Sequence, residues 1–89
     1  MNVIGSTAAH SSGDVVITFV VDRCPTGQDL MPLWSPPEGR VYKELLKAGY
    51  IAANGTVLKH FRSDSVVPEP IKGGRYRVTF RYHLANDSN

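Results

Sequence analysis

The chain has 89 residues, of which 42% are hydrophobic and 20% charged, and a formal net charge of +2. That length holds one domain with a thin core, hiding roughly 60–65% of the surface its unfolded chain exposes. The composition excludes intrinsic disorder, and the small net charge excludes any inference of nucleic acid or membrane from charge alone.

Residues 1–13 are small and polar apart from Val3 and Ile4. They read as a short edge strand at most, then a flexible Ser/Gly stretch. They lack the basic and apolar regions of a secretory leader, so the expected location is cytoplasmic. No apolar run in the chain approaches the ~20 residues of a membrane helix.

Residues 14–23 form the clearest strand. Val15, Ile17, Phe19 and Val21 share one face, and Val16, Thr18 and Val20 share the other. Apolar residues on both faces predict a central strand covered on both sides.

Pro25, Pro32, Pro36 and Pro37 make 24–37 a loop. Within it, Met31, Leu33 and Trp34 have the composition of an interface anchor. The alternative is that they fold back to cover the end of a thin core.

A helix is predicted over 36–48. Ser35 is its expected cap, Glu38 completes a capping box, and Gly49 is the expected C′ residue. Val41, Tyr42, Leu45 and Leu46 form the apolar stripe, with Arg40, Lys43, Glu44 and Lys47 on the wet side. Residues 50–53 and 56–62 then read as a hairpin joined by Asn54-Gly55 in a type I′ turn. Another loop, ending in Gly73-Gly74, leads to the last strand over 75–84. There Tyr76, Val78, Phe80, Tyr82 and Leu84 alternate with Arg75, Arg77, Thr79, Arg81 and His83.

The fold class that follows is α+β. A small, mainly antiparallel sheet of three to four strands (14–23, 50–53/56–62, 75–84) carries one helix (36–48). Residues 14–85 form the domain, and 86–89 are a flexible tail.

Chemistry-bearing residues are few. Arg75, Arg77 and Arg81, with Lys72 before them and His83 beyond, place guanidinium groups at strand spacing. They suit an acidic protein partner, phosphates, or simply a wet outer face. His60 and His83 make two metal ligands where zinc needs three or four, so no metal is expected. Cys24 is the only cysteine, which excludes an intramolecular disulfide, and its flanks match no nucleophile signature. No phosphate-binding loop, serine-nucleophile elbow or metalloprotease motif is present, so neither a catalytic residue nor a cofactor is expected.

The run Val41-Tyr42-Lys43-Glu44-Leu45-Leu46-Lys47-Ala48-Gly49-Tyr50-Ile51, followed by Asn54-Gly55, resembles the last helix and wing of a winged-helix DNA-binding domain. That resemblance covers about a quarter of the chain and implies nucleic-acid binding. It departs from the family ahead of this run, where two further helices belong and the sequence predicts a strand and a proline-rich loop.

The expectation is a non-enzymatic protein-binding module, open to homodimer formation, using Met31, Leu33, Trp34, Arg75, Arg77 and Arg81. The alternative is a nucleic-acid-binding domain using Lys72, Arg75, Arg77 and Arg81.

Overall fold

The computed structural model describes residues 1–85; the expected tail, 86–89, lies outside the described residues. Five strands and two helices follow in the order β1 (Val3–Ser11), β2 (Asp14–Val21), α1 (Gly27–Trp34), α2 (Arg40–Lys47), β3 (Phe61–Ser63), β4 (Glu69–Pro70) and β5 (Tyr76–Leu84). The sheet is antiparallel with strand order β1-β2-β5-β3, and β4 also pairs with β5. The α+β class is as read from the sequence, with one helix more.

β1 is a full nine-residue strand rather than a short one with a flexible end. Its residues have little intrinsic strand preference, but a two-residue connection, Ser12-Gly13, folds it back onto β2. Ser11 lies opposite Asp14, and Gly13 supplies the positive φ of 84°. Pairing then runs without a break from Gly5 to Ser11, and a bulge falls between Val3 and Gly5.

The expected loop at 24–37 contains α1. Thr26 caps it: its Oγ1 accepts from the Asp29 amide (3.2 Å), and Asp29 Oδ2 accepts from the Thr26 amide (2.9 Å). Reciprocal capping satisfies two otherwise orphaned donors, and Pro32 costs only one ladder bond in so short a helix. Ser35 ends this helix instead of opening the next, its amide donating to the Met31 carbonyl (2.9 Å). The second helix is capped by Gly39, without a side-chain bond. A Cβ there would lie 2.6 Å from the Trp34 carbonyl carbon, so the tight passage from α1 to α2 requires glycine.

α2 ends as its sequence demands. Gly49 (φ 78°) lets its own amide reach Leu46 O (3.1 Å), and the Tyr50 amide reaches Leu45 O (3.0 Å). The hairpin that follows shrinks to a turn and one bridge, Ile51 to Val57. Only Gly55 has positive φ there, so a type I′ turn, which needs two such residues, does not form. The Gly55 amide donates to Ala52 O (2.9 Å), the Ala52 amide to Thr56 O (2.8 Å), and Asn54 Oδ1 accepts from the Thr56 amide (3.0 Å). This is a three-residue loop closed by a glycine bulge. Strand pairing resumes only at β3.

The core lies between the helical layer and one face of the sheet. Val15, Ile17, Phe19 and Val21 of β2 meet Val78 and Phe80 of β5, Val41 and Leu45 of α2, and Tyr50 and Ile51. Phe19 and Phe80 pack edge to face, 5.7 Å between centroids. The molecule measures 45 × 25 × 19 Å, and its smallest dimension is that of one sheet and one helix.

Candidate binding surfaces

Among the described residues, no layer covers the second face of the sheet. Burial along β2 alternates strictly: Val15, Ile17, Phe19 and Val21 are buried, while Val16, Thr18 and Val20 are only half-buried. The expectation of a strand covered on both sides therefore fails. Among the described residues there are two α-helices, each of eight residues, and α2 sits on the face that presents Ile17 and Phe19. Register extends the open face sideways. Gly5, Thr7 and Ala9 lie opposite Val20, Thr18 and Val16 on one side, with Arg77, Thr79 and Arg81 opposite the same three on the other. The result is a flat strip of small and β-branched side chains with a basic border.

That border is partly neutralised. Arg77 Nη1 donates to Glu69 Oε1 (3.0 Å), and Arg81 Nε lies 3.8 Å from Asp64 Oδ2. Arg75 and Lys72 precede β5 and are exposed. The three arginines expected to act together thus divide into two held by carboxylates and one outside the strand.

Met31, Leu33 and Trp34 lie on α1 and divide by helical geometry. Leu33 and Leu30 pack against the core, whereas Met31 and Trp34 are 50% and 45% exposed. Cys24, between β2 and α1, is exposed and unpaired rather than tucked into the core.

Two polar clusters had no clear signature in the sequence. Glu44, placed on the wet side of its helix by periodicity, is only 4% exposed. His10 Nε2 on β1 bonds Glu44 Oε1 (2.8 Å), Arg40 Nε donates to Oε2 (3.0 Å), and Lys47 Nζ lies 3.7 Å from Oε2. Burial alone would raise this carboxyl's pKa. The bonds from His10 and Arg40 and the nearby positive charges outweigh it and hold the group below its ordinary value. Arg40 also donates to Ser6 Oγ (2.7 Å), so α2 is fastened to β1 at two points.

The other cluster joins three segments at the opposite side of the sheet. His83 of β5 bonds Asp14 of β2 through Nδ1 (3.0 Å) and Asp64, which follows β3, through Nε2 (3.0 Å). Hydrogen bonds to Asp14 and Asp64 raise the imidazole pKa above its usual value of 6.5. Arg62, Ser63 and Gly13 complete an open cleft of about 580 Å³ beside it. Both ring nitrogens are engaged by carboxylates, and the arrangement works as a clamp. Among the described residues, no group of three His, Cys, Asp or Glu is placed to hold a metal ion. No helix among them is long and apolar enough to cross a membrane.

No family model, curated protein or solved structure matches the chain.

Proposed function

We propose that this protein is a small non-enzymatic binding module that acts through contacts with another protein. The observation that carries the reading is the uncovered sheet face, where Val16, Thr18 and Val20 of the central strand are only half-buried. A sheet with β-branched residues on both faces gains stability when a second layer covers it, and the described residues supply only one. A flat strip of Thr, Val and Ala, edged by Arg77 and Arg81, suits a flat macromolecular partner better than a small ligand, which needs concavity. Met31 and Trp34 add a second exposed apolar element of the kind found at interface centres. Cytoplasmic location belongs to the same proposal, and an exposed, unpaired Cys24 suits a reducing compartment.

Nucleic-acid binding draws less support, because Glu69 and Asp64 already occupy Arg77 and Arg81. The test compares Thr18→Arg with Met31→Ala/Trp34→Ala in affinity capture, alongside a mobility-shift assay at low salt. Thr18→Arg is expected to keep the circular dichroism spectrum and lose the partner that the unaltered protein captures. Retained capture would sink the reading, and a mobility shift that weakens steeply with salt would replace it with the nucleic-acid one.

A further inference from the structure

We propose that β1 is a pairing edge whose occupant is the β1 strand of a second copy of this chain, joined antiparallel about a twofold axis through Ala8. This rests on the reading of the protein as a protein-binding module and adds self-association at the sheet edge to partner binding at the open face. β1 ends the sheet, and no strand among the described residues pairs with its outer row of amides and carbonyls. Such a row is a template for another strand, and sheets protect it with short strands, lysine, proline or bulges. Val3–Ser11 contains no Lys, Arg, Asp, Glu or Pro. Its one irregularity lies at the far end, between Val3 and Gly5. The imidazole of His10 is drawn to Glu44. The opposite edge has the protections that β1 lacks. It is broken into strands of three and two residues that carry Arg62, Glu69 and Pro70.

Unpaired backbone groups call for a strand, and the side chains argue that the strand is a second copy. Regular pairing spans Gly5–Ser11. Overlapping that run fully with itself, antiparallel, centres it on Ala8. Gly5 then faces Ser11 of the other copy, Ser6 faces His10, and Thr7 faces Ala9. All these side chains but His10 are small, so the edges can approach to strand spacing. Charge also matches. Ser6 holds Arg40 of its own helix (2.7 Å), and His10 holds Glu44 (2.8 Å). The twofold axis therefore sets the cation of one copy beside the carboxylate of the other, twice over, as an isologous contact requires. The open faces of the two sheets would join into one.

Opposed residues in antiparallel strands have Cα atoms about 4.5–5.5 Å apart, within disulfide reach. In a Cys24→Ser background, mixing Thr7→Cys with Ala9→Cys under mild oxidation is expected to give a disulfide-linked dimer, and neither variant alone should. Light scattering of the unaltered chain should give twice the 9.8 kDa of one copy. Thr7→Lys/Ala9→Lys should halve that mass with the circular dichroism spectrum unchanged. Mixing it with Thr7→Glu/Ala9→Glu should restore the dimer. A monomer mass at all concentrations overturns the proposal, and self-linking of Thr7→Cys overturns the axis at Ala8. A monomer mass for the unaltered chain, together with partner capture that is lost through Thr18→Arg, would refute the dimer alone and leave the binding-module reading intact.

Discussion

Along one side of the sheet runs Val3–Ser11, nine residues without Lys, Arg, Asp, Glu or Pro; along the other, Phe61–Ser63 and Glu69–Pro70 leave β5 covered only in patches. Both are edges, with the same backbone chemistry to satisfy. At the second edge, the Asp64 amide bonds Arg81 O (3.0 Å), and the His83 clamp holds the segment after β3 in place. At the first, the fastenings run inward, from His10 and Ser6 to α2, and none covers the outer row. The contrast shows that edge protection is a local property of side chains, which one sheet can apply on one side and omit on the other.

The largest effect should come from the network that fastens the bare edge. Glu44→Ala removes a buried carboxylate shared by His10, Arg40 and Lys47. The loss should be about 2 kcal/mol, below the usual cost of breaking a buried pair because the cationic partners are partly solvated. Urea denaturation would measure it, and amide exchange should accelerate in β1 more than in β5. Equal acceleration in both would mean that the two edges share one set of supports.

The guarded side offers a gain. Tyr50 packs on Phe61 of β3 with centroids 5.4 Å apart, and its hydroxyl is buried without a hydrogen-bond partner among the described residues. Tyr50→Phe should therefore stabilise the protein by about 1 kcal/mol, since it removes an unsatisfied polar group and keeps the ring. A lower midpoint in the same urea titration would contradict this.

A smaller effect depends on pH. The folded pKa of His83 is raised above its unfolded value of 6.5, so the clamp's contribution is fully present below that value. It fades as the pH rises through the raised folded value, where the imidazolium loses its charge and one of its two N–H donors, so that either Asp14 or Asp64 is left without its bond. His83→Gln should flatten that part of the stability profile, read from urea midpoints between about pH 5 and 9. The profile on the acid side, where Glu44 has its folded pKa lowered, should keep its fall with decreasing pH. Smallest of all, Arg77→Ala should shift stability by less than about 0.5 kcal/mol, because its ion pair with Glu69 is solvent-exposed. A larger shift would show that the pair closes the edge rather than merely wetting it.

Periodicity and punctuation made β2, α2 with its Gly49 terminus, and β5 legible, and with them the α+β class. Each carries its signal in its own residues: strict alternation, a 3.6-residue stripe, a glycine where φ must be positive. The first strand was not legible in this way, because Gly5, Ser6, Ala8 and Ala9 have little preference for extended structure until the turn at Gly13 delivers them to β2. α1 was hidden by its prolines, although Thr26 and Asp29 form a recognisable capping pair. Exposure of Met31 and Trp34 beside a half-buried Leu33 depended on where that unexpected helix lay. Glu44 and His83 were visible as residues, but their partners come from distant segments, 34 residues away for His10 and 69 for Asp14.

By itself, then, the sequence determined which side chains share a face, where α2 stops and which strands alternate, because these depend on spacings of two and 3.6 residues. Whether a face or an edge finds a neighbour was decided only in three dimensions. Val16 and Ile17 are both apolar and adjacent in the chain; a helix buries one, and no helix among the described residues lies above the other.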